Sequence, residues 1–330
     1  PGLELPRQMI RLPPPSGDTM VRASFNNLDP DAVTPDALPD SWVARMPAAL
    51  RPYLRLMRAD RPAGFWLLMW PCLWSTALAV SAGEPLFWGL CLLFVTGSII
   101  MRGAGCTWND IVDRRIDGQV DRTAARPIPA GQVTWWQALG FAVSLSLAGL
   151  AVLVQLNGVA IALGVLSLVP VALYPFAKRI TYWPQAVLGL TFNWGALMGW
   201  AAVHGTLAAA PLILYAGALF WTLGYDTIYA HQDKADDLIV GVKSTALKFG
   251  ATTRHWVIGF YAVFLAGLTG AGLAAGVTWP YFLGVAATGM HLGWQIRRLD
   301  IDDASRCLAL FRSNTVLGWL PFLGGVAAGL

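Results

Sequence analysis

The sequence predicts an all-α, multi-span membrane protein with nine transmembrane helices, and three observations carry that prediction. Of 330 residues, 56% are hydrophobic and only 13% charged, against the quarter or so of charge typical of a soluble domain. Apolar stretches of about 20 residues recur along the chain, the length that crosses a bilayer as a helix. Lys and Arg fall only on alternate connections between those stretches, the bias that keeps basic loops on the cytoplasmic side.

Residues 1–45 differ from the rest. The strings LPPPSGD and LDPDAVTPDALPD offer little to bury, so this segment is expected to be a disordered tail. Residues 46–330 then form the membrane domain. Its apolar runs cover residues 62–82, 86–108, 134–154, 158–176, 184–203, 209–229, 255–274, 279–296 and 313–330. A soluble helical protein is excluded, because these runs lack amphipathic partners to cover them.

The basic residues fix the topology. Arg51, Arg55, Arg58 and Arg61 precede the first run, and Arg102 to Arg126 follow the second. Lys178 and Arg179 follow the fourth, Lys234 to Arg254 the sixth, and Arg297 to Arg312 the eighth. The opposite connections, near Glu84, Asn157, Thr206 and Val277, hold no Lys or Arg. The N-terminus is therefore inside and the C-terminus outside. The net charge of +4 reflects this sidedness and implies no nucleic-acid partner.

Cys72, Cys91, Cys106 and Cys307 lack metal-ligand or disulfide spacing and read as small apolar residues. The tail carries Glu4, Asp18, Asp29, Asp31, Asp36 and Asp40, unlike an Arg-rich, acid-poor mitochondrial presequence. The expectation is a bacterial inner membrane with the active site facing the cytoplasm, a mitochondrial inner membrane being the lesser alternative. The start at Pro1 leaves room for an upstream segment.

Acids near a bilayer are costly and need a reason, and most of those beyond the tail sit in two clusters. In Asn109-Asp110-Ile111-Val112-Asp113-Arg114-Arg115-Ile116-Asp117, residues Asn109, Asp113 and Asp117 recur every fourth position and share one helical stripe. Such side chains repel one another unless a cation lies between them, which points to a divalent-metal site. The second cluster runs from Tyr225 to Asp237, where Asp226, Asp233 and Asp237 share a face and Tyr229 lies among them. The clusters occupy matching points of two four-span blocks, so an internal pseudo-repeat facing a central cavity is expected.

Oxygen ligands without companion His or Cys favour Mg²⁺, which binds through a few carboxylates plus substrate phosphates. A diphosphate substrate is thereby implied. Arg122, Arg126 and Lys243 stand close to the acids and can pair with phosphate oxygens, although basic anchoring of the membrane rim explains each of them equally well. Arg179 can receive a carboxylate in bidentate fashion, with the same alternative. His231 falls in the second cluster, without ligand spacing to His204, His255 or His291. Trp66, Trp70 and Trp74 line one face of the first run, able to wall a prenyl groove or simply to pack.

NDIVDRRID and DKADD resemble the NDxxDxxxD and DxxxD motifs of the UbiA superfamily of intramembrane prenyltransferases, with the likeness running from about Leu50 to the C-terminus. LMRADRPAGFWLLMWPCLWS, YPFAKRITYWPQ, LTFNWGALMGW and YDTIYAHQDKADDLIVGVKSTALKFG resemble its 4-hydroxybenzoate branch, which serves ubiquinone biosynthesis. The resemblance implies helices around a central chamber, cytoplasmic cap loops and a lateral opening for a lipid tail. It implies that Asn109, Asp113 and Asp117 bind one Mg²⁺, that Asp233 and Asp237 bind another, and that Arg179 meets the aromatic carboxylate. Asp226 and Tyr229 are expected to face substrate. Ala125 departs from the Asn common in relatives.

The implied reaction joins polyprenyl diphosphate, drawn from the membrane lipid, to 4-hydroxybenzoate at the carbon ortho to its hydroxyl. Two rival readings remain. One is another acceptor, of the haem, homogentisate, naphthoate or chlorophyll type. The other is a secondary transporter, against which stands the placement of the acids at span ends rather than mid-membrane.

Overall fold

The computed structural model describes residues 34, 37–38, 40–80, 83–119, 121–232, 234 and 241–329, without the side chains of 121 and 122. Most of the expected tail lies outside these residues. Within it, Trp42–Arg45 form one 3-10 turn that buries Val43, capped by the Ser41 hydroxyl accepting from Val43 N.

The described residues are helical with no strand among them. In chain order the helices are α1 (Arg51–Leu56), α2 (Ala63–Ala79), α3 (Pro85–Asp117), α4 (Asp121–Ala124), α5 (Trp135–Leu153), α6 (Gly158–Leu166) and α7 (Leu168–Ile180). They continue with α8 (Pro184–Phe192), α9 (Gly195–His204), α10 (Ala209–Ala230), α11 (Thr245–Phe249), α12 (Thr253–Ala275), α13 (Trp279–Arg298), α14 (Ala304–Leu317) and α15 (Trp319–Ala328). Among the described residues, each of the nine expected stretches is mainly helical. Five segments, Pro85–Asp117, Trp135–Leu153, Gly158–Ile180, Pro184–His204 and Thr245–Ala275, are long and apolar enough to cross a membrane by length and composition.

Leu92, Leu147, Ile180, Leu273 and Met290 point outward. An apolar exterior of this kind belongs to a lipid solvent, and the chain is an integral membrane protein.

α3 is 33 residues long, about 50 Å at 1.5 Å per residue, which exceeds a ~30 Å hydrocarbon core. Its last turns therefore project beyond the bilayer, and they carry the first acidic cluster. Three expected spans are broken in the middle. Asn193 interrupts α8 and α9, its Nδ2 donating to Gly189 O and Thr222 Oγ1 at 2.8 Å each. Ser167 divides α6 from α7, and its hydroxyl donates to Gly164 O at 2.6 Å. Between α14 and α15, the carbonyl of Gly318 accepts from Trp74 Nε1 at 2.8 Å, and that of Thr315 accepts from Trp70 Nε1 at 3.1 Å. Lipid offers no hydrogen bonds, so a broken helix needs such internal partners.

Trp70 and Trp74 are thus packing residues buried between α2 and the last helices, while Trp66 reaches the cavity described below. α10 and α12 pack closely. A Cβ on Gly217 would stand 2.7 Å from Gly267 Cα, the small-residue contact that lets membrane helices approach.

α1 ends in an uncommon way. Arg58 N donates to Arg55 O at 3.1 Å and Ala59 N to Leu54 O at 2.9 Å, the paired bonds of a Schellman cap. The left-handed position in that cap is normally Gly, yet here it is Arg58, with φ 61°, the one non-Gly residue of positive φ among the described residues. The conformation costs roughly 1 kcal/mol.

Candidate active site

α3 presents Asn109, Asp110, Asp113 and Asp117 within about 100° of its circumference, as the helical repeat dictates. The other elements bring cations to them. Asp113 is fully buried, with Lys178 Nζ 2.6 Å from Oδ2 and Arg179 Nη2 3.1 Å from Oδ1. Arg179 also donates to Val112 O at 3.0 Å. Asp117 Oδ2 accepts from Arg126 Nη1 at 2.8 Å, and Thr123 Oγ1 donates to Asp117 O. Asp110 Oδ1 accepts from Arg58 Nη2 at 2.6 Å and from Arg126 Nη1 at 3.2 Å.

Beside this network opens a cavity of about 810 Å³, enough for a sizeable organic ligand. Its polar mouth is lined by Arg58, Arg61, Asn109, Arg126, Asp226 and Tyr229, and its interior by apolar side chains such as Leu67, Phe94, Leu156 and Met198. Leu147 and Leu150 of α5, Val165 of α6 and Leu168 of α7 also line the cavity and are accessible, which gives it an apolar wall on the side of α5 to α7.

Of the residues expected at the site, Asn109, Arg126, Asp226 and Tyr229 line the cavity. Asp113, Asp117 and Arg179 stand beside it in the ion-pair network. Lys243 lies elsewhere: its Nζ donates to Ile180 O and its backbone N to Lys178 O, both at 3.0 Å. It caps the C-terminus of α7, where carbonyls lack helical partners. The backbone at Arg122 lies in α4, and its side chain is outside the described residues, as are Asp233 and Asp237. His231 is buried and bonds Thr253 Oγ1 at 3.0 Å. Burial, aided by Lys234, pushes its pKa down to about 4, so it stays neutral.

Sequence reasoning missed Arg102. Treated there as a basic flank, it lies within α3 and lines the cavity, seven residues before Asn109 and so about 10 Å deeper on the same face. Its guanidinium lies 5.2 Å from the Phe192 ring centroid, and its buried Nε has no hydrogen-bond partner. Gly64 makes room for it, since a Cβ there would stand 2.7 Å from Arg102 Nη2. The available signal was an ionisable residue inside the apolar run GSIIMRGAG.

The stripe fits a hard divalent cation by its chemistry. Among the described residues no three His, Cys, Asp or Glu side chains form a cage, but an amide and two carboxylates beside a cavity are what a cation shared with substrate phosphates requires. The carboxylates are balanced by Lys178, Arg179 and Arg126, which a cation would displace.

Comparison with known proteins identifies the family. Residues 68–322 match the UbiA prenyltransferase family. The chain is 50% identical to a mitochondrial 4-hydroxybenzoate polyprenyltransferase of Caenorhabditis elegans, over 93% of this chain and 86% of that protein. The proteins of the same name from Rattus norvegicus and Homo sapiens are each 50% identical, over 86% of this chain and 76% and 77% of theirs. Among solved structures, a UbiA homolog from Aeropyrum pernix aligns with a TM-score of 0.67 at 23% identity, covering 80% of this chain and 98% of that one. A UbiA homolog from Archaeoglobus fulgidus bound to GPP and Mg²⁺ aligns at 0.62 and 16% identity, over 84% and 99%.

The expected bacterial inner membrane finds no support here, because these relatives are named as mitochondrial. Sequence, fold and site agree that the chain belongs to the UbiA prenyltransferase family.

Proposed function

We propose that this chain transfers a polyprenyl group from polyprenyl diphosphate to the carbon ortho to the hydroxyl of 4-hydroxybenzoate, giving 3-polyprenyl-4-hydroxybenzoate, a step of ubiquinone biosynthesis. The observation that carries the reading is one cavity lined both by acids and guanidiniums and by a large set of apolar side chains. It stands in a chain half identical to 4-hydroxybenzoate polyprenyltransferases.

Asn109, Asp113 and Asp117, together with Asp233 and Asp237, would hold Mg²⁺, which when bound supplies Lewis-acid stabilisation of the leaving diphosphate. Arg58 and Arg126, which line the cavity, bind the phosphate oxygens of the donor, and Arg122 is assigned the same role. Asp226 and Tyr229 border the same space. The apolar interior keeps water from the allylic cation, which water would quench to an alcohol. The electron-rich ring attacks that cation and then loses its proton.

The acceptor's carboxylate needs a buried cation, and two arginines compete for the role. Arg179 is engaged by Asp113 and Val112 O and does not line the cavity, whereas Arg102 lines it with an unused Nε. We assign the carboxylate to Arg102, a bidentate partner of fixed geometry. The names of the relatives support a mitochondrial membrane, with the basic, site-bearing ends of the helices on the matrix side.

Membranes containing the chain should convert labelled prenyl diphosphate and 4-hydroxybenzoate to product only with Mg²⁺ present. Product from other phenolic acceptors alone would move the chain to another branch of the family. No product with any acceptor would refute prenyl transfer.

A further inference from the structure

Asp110 is buried, belongs to the acidic motif and has no part in the i, i+4 stripe assigned to the cation. Its Oδ1 joins two guanidiniums distant in sequence, Arg58 before the first span and Arg126 after the second. Both line the cavity mouth. Arg126 divides one nitrogen between Asp110 and Asp117, so it has a second acceptor to remain on if Asp117 turns to a cation.

Arg58 makes the stronger point. It fills the left-handed position of the α1 cap, where glycine fits without strain, and its side chain does two things glycine cannot. Nη2 bonds Asp110 at 2.6 Å and Nη1 bonds Arg55 O at 3.1 Å. A strained residue held by a buried carboxylate at a cavity mouth is the mark of a guanidinium kept for use.

Resting on the proposed reaction, we infer that Asp110 is a positioning residue: it holds Arg58 and Arg126 toward the cavity, ready for the diphosphate, and is not itself a ligand of the cation. Its charge-assisted bonds fix the direction of two side chains that would otherwise sample many rotamers.

The test uses the full chain in detergent and reads binding of inorganic pyrophosphate with Mg²⁺ by calorimetry, and of Mn²⁺ alone by electron paramagnetic resonance. Asp110→Asn should weaken pyrophosphate binding on the order of tenfold and raise the KM for prenyl diphosphate equally, with kcat and the KM for the aromatic acceptor changed far less. Mn²⁺ affinity should persist. Arg58→Gly relieves the backbone strain and leaves Asp110 its bond to Arg126, so the chain should fold with a lowered thermal midpoint while losing pyrophosphate affinity to a similar degree. That variant carries the test if Asp110→Asn does not fold.

Unchanged pyrophosphate affinity in folded variants would overturn the proposal, as would loss of Mn²⁺ binding in Asp110→Asn, which would make Asp110 a ligand. A parent chain that binds no pyrophosphate at all would overturn the prenyl-transfer reading itself.

Discussion

Oδ2 of Asp113 lies 2.6 Å from Nζ of Lys178, the carboxylate fully buried and the lysine partly exposed. The carboxylate is thus neutralised by a cation that can swing out to water. Asp113→Ala should lower prenyl transfer by about 10²–10³-fold. The accompanying destabilisation should be only about 1–2 kcal/mol, since the released ammonium can be solvated. Mg²⁺ with pyrophosphate should raise acetylation of Lys178, read by peptide mass spectrometry, and EDTA should reverse it.

Arg102 and Arg179 are separable by acceptor kinetics. Arg102→Gln should raise the KM for 4-hydroxybenzoate by about 10- to 100-fold, the worth of a charge-assisted pair, with little change in the KM for prenyl diphosphate. Gly64→Val, which crowds the guanidinium, should act in the same direction more weakly. Arg179→Gln should affect metal dependence more than acceptor KM, because its partner is Asp113. The reverse pattern would return the acceptor's carboxylate to Arg179.

The apolar wall of the cavity predicts selectivity for tail length. Val165 is part of that wall, so Val165→Trp should obstruct the space of a long tail. Turnover with a long polyprenyl diphosphate should fall by roughly tenfold while turnover with geranyl diphosphate holds, the cost of overfilling a packed space being about 1–3 kcal/mol. Equal loss with both donors would place the tail elsewhere.

His231 should give the fold a distinct acid sensitivity. Its pKa lies near 4 in the folded chain, lowered by burial and then by Lys234 and opposed by Asp302, against about 6.5 when unfolded. The unfolded chain therefore takes up the proton first, and the stability tied to neutral His231 is present above pH 6.5 and is lost as pH falls toward 4. Between pH 7.5 and 5 the thermal midpoint should drop further in the parent than in His231→Gln. Parallel curves would show that His231 does not govern this range.

The broken last span offers a plainer check. Trp74→Phe keeps the apolar bulk but removes the side-chain bond to the Gly318 carbonyl, which as the N-cap of α15 keeps its helical donor. It should cost about 0.5–1.5 kcal/mol, the net worth of one hydrogen bond, read as a lowered thermal midpoint in detergent.

Helix positions were legible because an apolar run of membrane length has few other uses, as α5 and α12 illustrate. The stripe of Asn109, Asp113 and Asp117 was legible for a similar reason, since a four-residue spacing means one face. What escaped was partnership. Arg102 and Arg179 are both basic residues near a span end, and only depth within the cavity distinguishes them. The bond between Asp110 and Arg58 joins positions 52 apart, and nothing local announces it. Lys243 within GVKSTALKFG reads equally as a phosphate partner or a rim anchor, and the chain folds it onto the end of α7. The breaks at Ser167 and Asn193 are likewise set by partners on other helices, such as Thr222.

α3 carries Arg102 and the acidic stripe on one continuous rod. The separation between the acceptor's anchor and the diphosphate end is therefore written in helical rise, and no hinge has to reproduce it at each turnover. The same economy makes α3 intolerant of a change in register: one residue inserted between Arg102 and Asn109 would rotate the acids by about 100° relative to the arginine, so the two half-sites would no longer face the same cavity.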